Sequence, residues 1–515
     1  MRGGGAGAMS ADLVLAADCS TTAAKAVVWD MKGGAVAEGR ASYPLSVPAP
    51  GWGEQHPVDW WSALEKAIVA AVRQIDPCRL AALAITHQRE TFVCLDDHGE
   101  PLRPAMLWLD ARAHAEVVEF GDDRVHALTG KPPNTATSWY KLLWLKKHEP
   151  QVLRQTRWVA DVHAYLVHRL TGRWRTSYGS VDPLGLLDLR TFTLEEHLLA
   201  AVGLEAGQIP EIAPPGARLG VVRDEVASAL GLPRGLPVIA GTGDGQAAGL
   251  GANVTAPGTA YLNLGTGMVS GTFSREYRYA REFRTMSGSI PGTYAPETFI
   301  GGGTFNINWF VERLADIPAR PFGLDLGAES LLELAASKVA PGSEGLFAVP
   351  NLAGALSPYW DPNARGVYFG LSPQHGKAHL YRALLEGLAF EQRLATSAAE
   401  PALGSPVVRF RLMGGGSRSV LWRQILADVL ARPLEITREA ETTSLGAAML
   451  AAAGVGLFDG IVEAAEAMSG VAATCAPADS TRALYARHYE VYRSLYPSLR
   501  EVFAQLQALG TASGV

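Results

Sequence analysis

Apolar and polar positions along this chain follow two periods, one typical of strands and one typical of helices. The segments 12–30 and 80–85 are mostly apolar runs bounded by polar turns, which predicts buried strands. Between residues 58 and 75 the apolar side chains recur at helical spacing, which predicts a helix with one buried face. Because strands and helices go on alternating, the pattern predicts an α/β fold.

The first two predicted strands are joined by a polar turn with an unusual set of side chains. The turn and its flanks carry Asp18, Ser20, Thr21, Thr22 and Lys25. Backbone N–H groups and hydroxyls in such a turn can hold a phosphate, while the carboxylate can lie near a metal ion. On this stretch alone, an ordinary hairpin turn is an equally good interpretation.

A second hairpin of the same kind follows far along the chain. Residues 260–272 form two short apolar runs around a turn that contains Gly265 and Thr266. Two phosphate-binding hairpins in one chain indicate a duplicated fold that closes on a nucleotide.

Three further segments carry candidate chemistry. Asp244 lies in a glycine-rich turn after a strand, where it can accept a hydroxyl proton or, equally, cap a helix that begins at Gln246. Arg89 and Glu90 lie between two strands and suit a ligand rich in hydroxyls, although a surface ion pair is the default for such a pair. The glycines 414–416 open a turn before a predicted helix, where phosphates or a flat ligand can approach the backbone.

Length and composition narrow the class of protein. The 515 residues exceed one core and predict two to four domains at roughly 100–200 residues each. A net charge of −6 offers no basic surface for nucleic acid. Four cysteines without metal-ligand spacing predict free thiols in the cytoplasm, and no apolar run is long enough to span a membrane. The first ten residues have the composition of a flexible tail, and Met9 is a second candidate start.

The whole chain resembles the FGGY carbohydrate kinases, the family of glycerol kinase, xylulokinase and ribulokinase. Its most specific match is Gly366-Val-Tyr-Phe-Gly370-Leu371 followed by His379-Leu-Tyr-Arg-Ala-Leu-Leu-Glu386, which fits the C-terminal signature of the family. The two hairpins, Asp244 and the triple-glycine turn lie in the order of the family. The resemblance covers roughly residues 11 to 500.

The resemblance implies a fold and a set of functional residues. The expected fold is α/β, with two actin-like (ribonuclease H-type) domains and an interdomain cleft, and we place the domains at 11–254 and 255–500. The expected reaction is phosphoryl transfer from ATP, with Mg²⁺, to a terminal hydroxyl of a small sugar or polyol. Asp244 corresponds to the catalytic base, and Asp18 and Asp244 lie where Mg²⁺ is approached. The residues expected to bind ATP are Asp18, Thr21, Thr22, Lys25, Gly265, Thr266, Gly415, Gly416 and Ser419.

Departures from the family pattern bear on the substrate. Arg89, Glu90 and Trp108 match the polyol-binding residues of glycerol kinases, whereas xylulokinases usually have Met-His at the first two positions. Three other glycerol-kinase contacts are replaced by the smaller residues Ala136, Gly245 and Val269. Because a buried void is costly, the simplest interpretation is that a longer substrate occupies the space that these smaller residues leave. The predicted substrate is a pentulose such as xylulose, or a four- to five-carbon polyol. The alternative is that Trp139 or Tyr140 fills the space.

Other functions stay open from the sequence. They are glycerol kinase, a kinase of a small signalling hydroxyketone, and a non-catalytic actin-like ATPase module. The last is disfavoured because a structural ATPase does not need Arg89, Glu90, Trp108 and Asp244. The expected partners are the sugar and ATP, without nucleic acid or membrane, and a homodimer is one of the assemblies that family members form. Ser20 also departs from the family, which usually has glycine at that turn position.

Overall fold

The computed structural model describes residues 11–315 and 327–512, so the predicted tail at residues 1–10 lies outside the described part of the chain. The strands are β1 (Leu13–Cys19), β2 (Ala23–Asp30), β3 (Ala35–Ser42), β4 (Glu54–Gln55), β5 (Leu80–His87), β6 (Phe92–Leu95), β7 (Ala105–Met106), β8 (Trp158–Asp161), β9 (Arg175–Ser177), β10 (Leu187–Asp188), β11 (Thr193–Leu194), β12 (Glu211–Ala213), β13 (Arg218–Val221), β14 (Pro237–Ile239), β15 (Thr259–Leu264), β16 (Met268–Thr272), β17 (Arg284–Ser287), β18 (Tyr294–Ile300), β19 (Phe347–Val349), β20 (Val367–Phe369), β21 (Arg409–Met413), β22 (Leu434–Thr437) and β23 (Val471–Cys475). The helices are α1 (Pro57–Val72), α2 (His114–Phe120), α3 (Asp123–Thr129), α4 (Ser138–His148), α5 (Pro150–Gln155), α6 (Val162–Thr171), α7 (Tyr178–Val181), α8 (Glu196–Val202), α9 (Asp224–Leu230), α10 (Asp244–Gly251), α11 (Thr304–Phe310), α12 (Ala328–Ala336), α13 (Lys377–Leu403), α14 (Val420–Leu430), α15 (Thr442–Gly454), α16 (Ile461–Met468) and α17 (Asp479–Ala512).

Two large sheets repeat one topology. The first has the order β13-β14-β5-β1-β2-β3, and the second has the order β17-β18-β16-β15-β21-β22-β23. In each sheet, three antiparallel strands (β3-β2-β1 and β18-β16-β15) are followed by two strands parallel to the last of them. This repeated order is that of the ribonuclease H-type fold, so the predicted duplication and α/β class are confirmed.

Burial in the first sheet explains the apolar runs of the early strands and the helical spacing of the first helix. Strands β1 and β5 are central and almost entirely buried, and α1 packs its apolar face on the same sheet over β2 and β3, with Trp60 and Leu64 fully covered. A strand buried on both faces reads as a continuous apolar run, whereas a helix on its surface keeps a 3.6-residue period. The predicted strands and the predicted helix are therefore confirmed.

Helices α10 and α15, one from each half of the chain, pack against each other at unusually close range. A Cβ atom added at Gly446 would lie 1.9 Å from the carbonyl oxygen of Ala247, and one at Gly251 would lie 1.9 Å from that of Thr442. Only glycine permits this approach of two backbones. Nearby, the Trp29 indole donates to Ser444 Oγ at 3.0 Å, which joins α15 to the first sheet.

The hairpin of β17 and β18 belongs to the second sheet but rests on the N-terminal half. The Thr285 N–H donates to the Gly130 carbonyl at 2.7 Å, and the Ser287 N–H donates to Asp182 Oδ2 at 2.8 Å. Residues from both halves therefore line the cleft beside the first sheet. Among the helices of the described residues, none is both long and apolar enough to cross a membrane.

Candidate active site

The carboxyl ends of three neighbouring parallel strands bring several of the predicted site residues to one edge. Asp18 lies near the end of β1, Arg89 and Glu90 follow β5, and Asp244 follows β14. These strands are adjacent in the order β14-β5-β1. Ligands of open α/β sheets bind outside the carboxyl ends of the strands, so this edge is the candidate active site.

Arg89 is the central cation of the site and is 6% exposed. Its Nε lies 3.0 Å from Asp244 Oδ1, and its Nη1 lies 2.9 Å from Glu297 Oε1 and 3.2 Å from Gln246 Oε1. Tyr261 adds a 2.6 Å hydrogen bond from its hydroxyl to Glu297 Oε1. The Arg89 guanidinium thus holds the Asp244 carboxylate on one side, and the fully buried Glu297 carboxylate anchors the guanidinium on the other.

Glu90 is held by a second arginine. Arg284 Nη1 lies 2.7 Å from Glu90 Oε1, and Arg284 Nε lies 3.0 Å from Glu297 Oε2. Charges therefore alternate from Asp244 through Arg89, Glu297 and Arg284 to Glu90. Burial opposes the ionisation of Glu297, but the two arginines outweigh it and lower its pKa to about 2. Buried charges persist here because each has an opposite partner.

Asp244 is the most accessible acid of this group, with 42% of its side chain exposed. It begins α10, so the helix starts two residues earlier than the sequence predicts, and Gly243 is the N-cap. Desolvation within the cleft raises the pKa of Asp244 above its ordinary value; Arg89 opposes the rise and Glu90 adds to it. A restrained, accessible carboxylate with a raised pKa has the properties of a general base.

Asp18 has the features of a cation ligand. Its Oδ1 is buried and accepts no hydrogen bond from any described residue. Burial and the nearby carboxylates of Asp244 and Glu441 raise its pKa to about 8. Mg²⁺ binds through one or two carboxylates and otherwise keeps its waters, so an unpartnered carboxylate oxygen beside Asp244 fits this ion.

The first hairpin turn contacts Trp108, one of the residues predicted to bind the sugar. The Trp108 indole donates to Thr21 Oγ1 at 3.0 Å, and the Tyr43 N–H donates to the Thr22 carbonyl at 3.0 Å. Ser20 does not have the positive φ that would disfavour a side chain, so the missing family glycine leaves the turn unstrained. Lys25 Nζ lies 3.0 Å from both Glu38 and Glu441, so its ammonium is paired with carboxylates at the edge of the turn.

The second hairpin turn is supported by the start of α11. The carbonyl of Gly265 accepts the Thr304 N–H at 2.9 Å and its hydroxyl at 3.0 Å. The carbonyl of Thr266 accepts the Phe305 N–H at 3.2 Å. These bonds fix the turn at the carboxyl end of β15.

The triple-glycine turn lies at the end of β21, the strand beside β15. Gly414 has φ of 85°, and a Cβ there would lie 2.4 Å from Asn263 Oδ1. A Cβ at Gly416 would lie 2.5 Å from the Trp422 ring, whereas one at Gly415 would meet open space. Ser419 Oγ accepts the Trp422 N–H at 3.0 Å and caps α14. The structure thus brings the second hairpin and this turn together on the C-terminal side of the cleft.

Comparison with known proteins decides the family. Residues 13–251 match the N-terminal domain of the FGGY family of carbohydrate kinases, and residues 260–455 match its C-terminal domain. The chain belongs to this family. It is 34% identical to a xylulose kinase of Streptomyces rubiginosus, over 85% of this chain and 87% of that protein. It is 29% identical to a glycerol kinase of Thermococcus onnurineus, over 87% of this chain and 90% of the relative.

Solved structures agree with this assignment. The crystal structure of a xylulose kinase from Rhodospirillum rubrum superposes with a TM-score of 0.88 at 29% identity, covering 96% of this chain and all of that one. The predicted two-domain fold is thereby confirmed. As an FGGY kinase, the protein is a phosphotransferase that uses ATP with Mg²⁺ on an alcohol group of a carbohydrate.

The structure changes the interpretation of one family departure. A Cβ at Gly245 would lie 2.6 Å from Arg89 Nη2, so the space left by the smaller residue is taken by the guanidinium and not by a longer substrate. Trp139 and Tyr140 are buried in the N-terminal core, where the Trp139 indole donates to the Leu198 carbonyl at 2.9 Å. Both rings are thus packed in the N-terminal core, and the alternative that one of them fills the space stays a prediction.

Four residues of this FGGY site were missed from the sequence, namely Gln246, Tyr261, Arg284 and Glu297. Glu297 and Arg284 are charged residues within short, otherwise buried strands, which is the one signal that could have found them. Their partners lie about 200 positions earlier, with a separation of 208 residues for Arg89 and Glu297. No local pattern relates residues so far apart.

Proposed function

We propose that this FGGY kinase phosphorylates a terminal hydroxyl of a neutral sugar or polyol, with a pentulose such as xylulose as the best candidate and a four- to five-carbon polyol next. The observation that carries the proposal is the accessible Asp244 carboxylate held by Arg89. At the same edge of the sheet, Arg284 holds Glu90 and the Trp108 indole donates to Thr21 in the first hairpin turn. The similarity to a xylulose kinase over 85% of this chain supports the choice of a pentulose.

Asp244 is assigned the role of general base. Its carboxylate takes the proton of the substrate hydroxyl as that oxygen attacks the γ-phosphorus of ATP. Arg89 restrains the carboxylate through the 3.0 Å contact between Nε and Oδ1, so the base is oriented before the sugar arrives. General-base catalysis of this kind typically contributes about 10²–10⁴-fold to the rate.

The nucleotide is assigned to the two hairpin turns and the triple-glycine turn. Thr21, Thr22, Gly265 and Thr266 would face the phosphates, and the turn at Gly415, Gly416 and Ser419 would lie on the adenine side. Asp18 would hold Mg²⁺, which supplies charge stabilisation for the transferring phosphoryl group. Lys25 would act at longer range, because its ammonium is already paired with Glu38 and Glu441.

The charge balance of the ion pairs that Arg89 and Arg284 make favours a neutral substrate over a sugar acid. Arg89 and Arg284 are matched by three carboxylates, those of Asp244, Glu90 and Glu297, which leaves one net negative charge. The carboxylate of a sugar acid would be repelled by this net negative charge, and the repulsion is strong because the site is partly desolvated. Hydroxyl groups can instead share the hydrogen bonds of the paired ions.

Two positions favour a substrate longer than glycerol. Ala136 and Val269 stand where glycerol kinases have aromatic residues, and Val269 is only partly buried. Their smaller side chains would leave room for the distal carbons of a substrate longer than glycerol. We also propose a cytoplasmic location, because all four cysteines are free thiols, and a homodimer as the assembly to test.

The test is an ADP-release assay with Mg·ATP across xylulose, ribulose, xylitol, arabitol, erythritol, glycerol, gluconate and a small hydroxyketone. We expect the highest kcat/KM with a five-carbon neutral substrate, and at least about tenfold less with glycerol and gluconate. A preference for glycerol would overturn the size argument, and a preference for gluconate would overturn the charge argument. The Asp244→Asn variant serves as the control for contaminating kinases.

A further inference from the structure

A buried lysine lies beneath the candidate sugar site without touching its open side. Lys141, on α4, has no exposed surface. Its Nζ donates to three backbone carbonyls, those of Glu90 at 2.9 Å, Leu107 at 2.7 Å and Ala136 at 2.7 Å. An ammonium group has three N–H donors, so every donor of Lys141 is used on main chain.

The three carbonyls belong to three separate segments, and each segment carries a residue of the proposed sugar site. Glu90 is itself one of these residues, Leu107 precedes Trp108, and Ala136 is one of the two smaller residues that the proposal places beside the distal carbons of the sugar. Buried carbonyls require donors, and here one side chain supplies all three. Lys141 is thus the common attachment point of loops that are otherwise distant in the chain.

The attachment matters most at Glu90. Its φ of 51° lies in the left-handed region, which is unfavourable for a residue with a side chain and persists only where the surroundings impose it. The bond from Lys141 to its carbonyl and the ion pair from Arg284 to its carboxylate act on opposite ends of this residue.

We propose that Lys141 is a positioning residue for sugar recognition, which sets the relative placement of Glu90, Trp108 and Ala136 through their main chain. This inference rests on the proposed function, because it assumes that these three segments bind the sugar. Lys141 itself touches neither the substrate nor Asp244. Its loss is therefore expected to weaken sugar binding and leave nucleotide binding and the chemical step largely intact.

The test compares steady-state constants of Lys141→Met, Lys141→Gln and Lys146→Met with the wild type, using the best sugar found above. Lys146 is the matched control: it is on the same helix but exposed, and its Nζ donates to the Ala201 carbonyl at 2.6 Å. We expect the KM for the sugar to rise about tenfold or more in Lys141→Met and less in Lys141→Gln, which keeps two donors. The KM for ATP and kcat should stay within about threefold, and Lys146→Met should match the wild type.

A rescue experiment distinguishes the loss of the ammonium group from a folding defect in these variants. Lys141→Ala is purified and assayed with propylammonium, which can enter the vacated space and supply the three donors, and with propanol as the uncharged control. We expect propylammonium alone to lower the KM for the sugar. An unchanged sugar KM in Lys141→Met, or equal changes in the sugar and ATP constants with no effect of propylammonium, would overturn the inference. Failure of the wild type on every sugar would instead reject the proposed function.

Discussion

The guanidinium of Arg89 determines the orientation of the Asp244 carboxylate, the candidate base. It contacts Asp244 and Glu297 at about 3 Å, so the carboxylate of Asp244 cannot rotate freely toward solvent. Gly245 is part of this arrangement, since any side chain there would collide with the guanidinium. The sequence predicts both Asp244 and Arg89 as site residues but not their contact.

We expect Asp244→Asn to lower kcat by about 10²–10⁴-fold and to leave the affinity for ATP nearly unchanged. The amide keeps the shape of the carboxylate but cannot accept the hydroxyl proton. The measurement is kcat with the best sugar, together with ATP binding by calorimetry in the absence of sugar. Turnover within threefold of the wild type would show that another group is the base.

Among the elements, α13 and α17 share a buried acid with no role in the cleft. Glu391 on α13 is 3% exposed, and its Oε1 accepts the Tyr492 hydroxyl at 2.6 Å. Burial raises its pKa to about 7. Between pH 4.5 and about 7 the unfolded carboxyl has lost its proton while the folded one retains it. The contribution of Glu391 to the free energy of unfolding therefore falls as the pH rises through this window, and it is constant at higher pH.

We expect Glu391→Gln to stabilise the protein at pH 8 by up to about 3 kcal/mol, and to have a much smaller effect at pH 4.5. Glutamine keeps an acceptor for Tyr492 and carries no charge at either pH. The measurement is urea unfolding at the two pH values. Glu386→Gln on the same helix is the contrasting control: Glu386 pairs with buried Arg382 at 2.9 Å, so its neutralisation should destabilise at pH 8. Equal effects of Glu391→Gln at both pH values would contradict the assignment.

Across the whole molecule, the two halves meet where α10 crosses α15. Asp244 is the first residue of α10, so the position of this candidate base depends on the crossing. The second sheet supplies Arg284 and Glu297 to the same site through the hairpin of β17 and β18. The relative placement of the halves therefore sets both the position of Asp244 and the partners of Arg89 and Glu90.

We expect Gly446→Ala to destabilise the protein by about 3 kcal/mol or more and to lower kcat, because its Cβ would lie 1.9 Å from the Ala247 carbonyl oxygen. Gly207→Ala is the control, since a Cβ there would meet nothing within 4 Å. The measurements are thermal unfolding and kcat for both variants. Wild-type stability and activity in Gly446→Ala would mean that the helices separate freely and that the crossing does not align the site.

The sequence by itself determined the local elements, the class of fold and the family. Strand pairs such as β1 and β2, the buried strand β5 and the helix α1 were readable, because alternation and helical spacing are set by neighbours a few residues apart. The same local reasoning found Asp244, Arg89, Glu90 and the phosphate turns as candidates, and their roles stay predictions. The start of α10 was misplaced by two residues because glycine-rich turns have weak boundary signals.

Only the tertiary structure decided what these candidates contact. Arg284 and Glu297 reach Arg89 and Glu90 because a hairpin of the second sheet rests on the N-terminal half. Lys141 joins three distant carbonyls, and Gly245 makes room for a guanidinium and not for a longer sugar. The physical reason is that ion pairing and steric fit depend on distances across the folded chain, which the spacing of residues along the sequence does not encode.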